Sequence, residues 1–91
     1  MLSLKEISDE MESLDNWSLE SGTAISKVFE FSNFKEAIEF VNKVAEVAEA
    51  HSHHPDIVIT FNRVRLALTT HDEHGLTKKD FEVAREIDRI K

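Results

Sequence analysis

All five histidines of the sequence fall between His51 and His74. Imidazole is the side chain whose ordinary pKa lies near physiological pH. Two or three of them around a small substrate can give a proton to one atom and take one from another, each positioned group being worth on the order of 10²–10⁴-fold in rate. Neighbouring cations push an imidazole pKa down and carboxylates push it up, and two carboxylates, Glu49 and Asp80, flank the histidine-bearing stretch. Such a set suits general acid–base work such as dehydration or isomerisation.

A metal site is the rival chemistry. His51-x-His53-His54 together with His71 supplies enough imidazoles for zinc. Against it, adjacent residues of an extended segment point to opposite sides, so His53 and His54 do not readily share one ion, and the helical His-x-x-x-His pairing is absent. Plainer roles exist for every residue singled out. His51 and His74 read as exposed loop residues, Glu49 as solvated helix surface and Pro55 as a helix terminator. Thr77-x-x-Asp80 has the spacing of a helix cap, and Trp17 suits a core.

The elements that must position these groups can be read from periodicity. Ser3 and Glu6 have capping-box spacing ahead of a helix over Leu4–Leu14. Trp17–Glu20 and Ile25–Phe31 read as strands joined by a Ser21-Gly22 turn. Asn33 caps an amphipathic helix from about Phe34 to Ala50, with Phe34, Ala37, Ile38, Val41, Val44, Ala45 and Ala48 as its apolar stripe. Pro55 keeps that helix from running past His53, because it biases His54 toward extended geometry and donates no backbone hydrogen bond. Asp56–Phe61 and Val64–Thr70 form a hairpin around Asn62-Arg63, pairing Phe61 with Val64, Ile59 with Leu66 and Ile57 with Leu68. Extending that register brings His54 opposite His71. After a loop at Asp72–Gly75, Thr77 and Asp80 open a last helix with Phe81, Ala84, Ile87 and Ile90 inward.

The order α-β-β-α-β-β-α implies an α+β fold: two layers, with a four-stranded antiparallel sheet carrying three helices on one face. One end of the sheet then gathers His53, His54, His71, Glu49 and Asp80. The uncovered sheet face and the edge strands favour a homo-oligomer.

Composition narrows the function classes. Eleven basic against 18 acidic residues give 11 − 18 = −7 with histidines neutral, the wrong field for direct nucleic-acid contact or an anionic membrane. The absence of cysteine removes disulfides, thiol catalysis and thiolate metal sites. No apolar run approaches the roughly 20 residues of a membrane span, and Met1–Glu12 lacks a signal peptide's basic start and apolar middle. The expectation is a single acidic domain over residues 1–91, cytoplasmic and without contact to membrane or nucleic acid.

Glu49-x-x-x-His53-His54-Pro55-Asp56, Phe61-Asn62-x-Val64, Thr70-His71-Asp72, Gly75-Leu76-Thr77, Asp80 and Ala84 resemble the pterin-4a-carbinolamine dehydratase family. The likeness runs back through Phe29-x-Phe31-x-x-Phe34 and Ala37 to Trp17. It implies a metal-free, cofactor-free hydro-lyase that removes water from 4a-hydroxytetrahydropterin to give the quinonoid dihydropterin, in recycling of the pterin after aromatic hydroxylation. Carried across, His53, His54 and His71 match the active-site histidines, with Glu49 and Asp80 at supporting acidic positions. Ser52, His53 and His54, with Thr69, Thr70, His71 and Asp72, match the segments that contact the pterin, and Trp17 falls where a tryptophan lies near the pocket. The family implies a dimer or tetramer, and some animal members also serve as dimerisation cofactors of a transcription factor, so a non-catalytic interaction module is the alternative. Two departures stand out: Ile57, where many relatives carry tryptophan, and His74, where a small residue is common.

Overall fold

The computed structural model describes residues 1–91. The elements in chain order are α1 (Leu4–Glu12), β1 (Ser18–Glu20), β2 (Ala24–Glu30), α2 (Phe34–His51), β3 (Asp56–Thr60), β4 (Arg63–Leu68), a 3₁₀ turn (His71–Glu73) and α3 (Lys78–Ile90). The strands form one antiparallel sheet in the order β1-β2-β4-β3. The fold class read from the sequence is the one observed.

Strand alternation sends Ile25, Phe29, Val64, Leu66 and Leu68 to the helical side, where each is at least nine-tenths buried. They pack with Ala37, Phe40 and Val44 of α2 and Phe81, Val83, Ala84 and Ile87 of α3. The other sheet face is open, with Val28 and Val58 exposed. On it Glu20 accepts from the Ser26 hydroxyl and the Arg65 guanidinium, which hold its carboxyl below the ordinary glutamate range. Any stability from this pair is full above that range and fades as pH falls through the lowered folded value.

Two details differ from the sequence reading. The β3–β4 hairpin pairs Ile59 with Val64, Ile57 with Leu66 and Asp56 with Ala67, so partners sum to 123 rather than 125. The turn is Phe61-Asn62, with Phe61 in the left-handed region at φ 52° and 66% exposed. Asn62 sets it: its carbonyl accepts from the Phe31 N–H at 2.8 Å and its side-chain amide donates to the Phe31 carbonyl at 2.9 Å. A shift of two preserves which side chains face the core, and carries the extension of the ladder from His54–His71 to His54–Thr69 and His53–Thr70. The stripe of α2 also turns: Phe40 joins Ala37, Val44 and Ala48 in the core, while Phe34 and Ala45 face outward. Leu4 of α1 is likewise exposed.

The end of α2 shapes the site. The Ser52 N–H donates to the Glu49 carbonyl at 3.2 Å and the His53 N–H to the Ala48 carbonyl at 3.0 Å, the double closure of a Schellman cap. That cap needs a left-handed residue, and Ser52 takes it at φ 50°, ψ 41° where glycine is usual. Ser52→Gly is expected to raise stability by about 0.5–1 kcal/mol, seen as a higher urea midpoint at unchanged m-value.

Candidate active site

A cleft of about 410 Å³ opens where the α2–β3 connection meets the outgoing end of β4. One wall is Ser52–Asp56 and the other Thr69–Asp72, so two short backbone segments supply the whole lining. His53, His54 and His71 share it.

The anchor of the cleft is Asp80 in the first turn of α3, fully buried. A buried carboxylate must be surrounded by donors. Its Oδ2 accepts from the Thr77 N–H at 2.9 Å and the Thr70 hydroxyl at 2.8 Å, and Oδ1 lies 2.6 Å from His53 Nε2. With Oδ2 taken by two donors, the proton in the Oδ1–Nε2 gap resides on the more basic imidazole, so Nε2 donates. His53 Nδ1 has no protein partner, yet no unpartnered polar side-chain atom is buried, so Nδ1 lies in the exposed tenth of the side chain. That leaves a ring locked from behind with one free nitrogen reachable by solvent.

His54 differs. Its Nε2 lies 2.5 Å from Glu49 Oε2, but the two side chains are 61% and 77% exposed, so water screens the pair. His71 opens the 3₁₀ turn, exposed and with no hydrogen bond to its imidazole, while its carbonyl accepts from the His74 N–H at 3.1 Å. The turn is braced because Thr70 and Gly75 exchange both backbone hydrogen bonds, at 3.0 and 3.3 Å.

The remaining residues singled out from the sequence divide. Ser52, Thr69, Thr70 and Asp72 line the cleft. The Thr69 hydroxyl is committed to the Thr23 carbonyl at 2.6 Å and that of Thr70 to Asp80. Glu49 reaches the cleft only through His54. Trp17 does not join the site: it is a core residue packed edge-on to Phe29, and its indole N–H donates to Asp88 Oδ2 at 3.0 Å. Asp88 lies eight residues beyond Asp80 on α3, roughly 12 Å along the helix axis.

His51 pairs with Glu86 and His74 is an exposed left-handed residue closing the 3₁₀ turn; neither lines the cleft. Ile57 lies on the helical side of the edge strand, outside the lining. No group of three or more His, Asp or Glu side chains is placed to hold a metal ion. The residue that sequence reasoning assigned too little is Thr77, whose hydroxyl lies 2.8 Å from that of Thr70; the Thr-x-x-Asp spacing marked it as a cap and gave no sign of the strand partner.

Comparison with known proteins shows the family and the fold. A protein provisionally named pterin-4-alpha-carbinolamine dehydratase from Chloroflexus aggregans is 53% identical over 89 residues, covering 98% of this chain and 95% of the relative. A protein of the same provisional name from Sulfurisphaera tokodaii is 46% identical over 98% of the chain and 95% of its own. A crystal structure described as a transcriptional coactivator/pterin dehydratase from Brucella melitensis superposes with a TM-score of 0.93 at 36% identity, covering 98% of this chain and 96% of that one. A pterin dehydratase-like protein described as a RuBisCO assembly factor of the alpha-carboxysome shares the fold, with a TM-score of 0.70 at 18% identity over 84% of this chain and 89% of its own. The family model for pterin 4 alpha carbinolamine dehydratase matches residues 1–90, and the chain belongs to that family.

Proposed function

We propose that this protein removes water from a 4a-hydroxytetrahydropterin to give the quinonoid dihydropterin, in recycling of a pterin cofactor. The observation that carries this reading is the buried Asp80–His53 pair in a cleft that also holds His54 and His71. The reaction needs proton traffic and nothing else. The N5 proton leaves to a base, the C4a–O bond breaks, the departing oxygen takes a proton and leaves as water, and N5=C4a forms. No oxidation state changes, so neither a redox group nor a metal is required by the balance.

His53 Nδ1 and the ring of His54 face this work from one wall; either ring, in its doubly protonated form, delivers the proton to the 4a oxygen, whereas the open Nδ1 of a neutral His53 is a proton acceptor. His71 holds or polarises the pterin from the other wall, and Ser52, Thr69, Thr70 and Asp72 shape the space between. Glu49 and Asp80 support the imidazoles, favouring their protonated forms when a proton is taken up. A non-catalytic interaction module would have no use for two further imidazoles, His54 and His71, exposed in the same cleft.

Self-association belongs to the same proposal. The edge strand β3 leaves Val58 52% exposed with Phe61 beyond it, and α2 presents Phe34 at 51% exposure, surfaces a second copy would cover in a dimer or tetramer. Sedimentation equilibrium at micromolar concentration is expected to give a mass of two or four chains; a monomer would remove this part of the reading.

The protein is expected to accelerate dehydration of chemically generated 4a-hydroxytetrahydropterin over the slow unaided loss, with chelator making no difference. His53→Ala and His71→Ala should each lower turnover by at least about a hundredfold with folding intact by circular dichroism. Full activity in both variants would make the cleft the wrong place. Trp17→Phe tests the reassignment of that residue: it should cost about 1.5 kcal/mol of stability through the lost bond to Asp88 and leave KM within twofold of the parent.

A further inference from the structure

Two hydroxyls meet at the back of the cleft, one from Thr70 of its lining and one from Thr77 outside it. Thr70 sits at the outgoing end of β4 and Thr77 just before α3, and their Oγ1 atoms are 2.8 Å apart. Thr70 Oγ1 is also 2.8 Å from Asp80 Oδ2 and donates to it. A hydroxyl has one proton to give. With Thr70's spent on the carboxylate, the bond between the two hydroxyls is donated by Thr77. The chain therefore runs from the Thr77 hydroxyl to the Thr70 hydroxyl to Asp80, each donor polarising the next, and it ends at His53 Nε2.

We infer that Thr77, acting through Thr70 and Asp80, is a positioning residue that fixes which ring nitrogen of His53 faces the cleft. A carboxylate can rotate about its Cβ–Cγ bond and exchange its oxygens. Here Oδ2 is pinned from two elements, by the Thr77 N–H and by the oriented Thr70 hydroxyl, so Oδ1 stays aimed at Nε2. A His53 ring turned over would point a C–H at Asp80, and the pinned carboxylate cannot swing to follow it. Nε2 is thus kept as the donor and Nδ1 as the open nitrogen. A helix cap alone would not require a partner on the neighbouring strand; the contact with Thr70, seven residues away in sequence, is what joins cap to histidine.

The consequence for turnover rests on the dehydratase reading, whereas the state of the ring does not, and the test separates them. Imidazole ¹H–¹⁵N spectra of the full chain are expected to show His53 with a protonated Nε2, protected from solvent exchange, and an unprotonated Nδ1 in the neutral ring. In Thr77→Val that proton should exchange about tenfold faster, with both tautomers present, and Thr77→Ser should restore the parent pattern. In the dehydration assay Thr77→Val should lose about tenfold in kcat with KM within twofold. An unchanged His53 tautomer and exchange rate in a folded Thr77→Val protein overturns the inference, as does failure of Thr77→Ser to restore them. Should Thr77→Val not fold, Thr70→Val breaks the same chain without touching α3, and an unchanged His53 signal there overturns it equally. A parent protein with the expected His53 pattern but no turnover would sink the dehydratase reading and leave the positioning role standing.

Discussion

A carboxylate with no exposed surface is the constraint around which this small fold is arranged. Asp80 cannot be hydrated, so three separate pieces of chain must bring it donors: its own helix entry at Thr77, the end of β4 at Thr70, and the α2–β3 connection at His53. Because each donor arrives from a different element, satisfying the carboxylate also fixes the mutual placement of α2, β4 and α3 at that end of the sheet. A single polar group thereby closes the helical layer and defines the back wall of the cleft. The apolar core would pack the same layers together, but an area-driven interaction has no direction and would not decide which imidazole nitrogen looks outward.

The chain reaches this geometry through an abrupt change of conformation. An 18-residue helix gives way to a β-strand with only four residues between them. Ser52 reverses the backbone in the left-handed region, His53 and His54 follow outside any helix or strand, and Pro55 prevents any further helical turn. The two histidines go to different surroundings, one to a buried aspartate and one to an exposed glutamate. The tandem pair thus yields two chemically unlike imidazoles from adjacent positions. The strain at Ser52 is the local cost of that arrangement.

Much of this was legible in the sequence, and the parts that were not have physical reasons. Period-two and period-3.6 patterning located every α-helix and β-strand, though not the 3₁₀ turn, because burial selects apolar residues at those spacings regardless of detail. The convergence of His53, His54, His71 and Asp80 was argued from a hairpin register two residues off and from the family's recurring residues; the slip still leaves both loops at the same end of the sheet. The stripe of α2 was read turned to one side: Phe34 and Ala45 were included though they face outward, and Phe40 was left out though it is in the core, because α2 carries adjacent apolar rows and patterning cannot say which meets the sheet. Trp17 was placed at the pocket by likeness alone; a buried indole needs one acceptor, and Asp88 supplies it far from the cleft. The role of Thr77 was invisible for a related reason, since a hydroxyl's partner across an element boundary leaves no periodic trace.

The hairpin register has a wider bearing. Strand faces repeat every two residues, so hydrophobic patterning is blind to even-numbered slips: registers summing to 123 and to 125 bury the same side chains. What separates them is the grip of Asn62 on Phe31, at the opposite end of the six-residue strand β4, roughly 20 Å from the cleft. That distant clasp works as a vernier, since sliding one notch would leave the core intact and change only which residues meet across the cleft mouth. A change of loop length or sequence at the hairpin could therefore retune the pocket while a stability screen registered almost nothing.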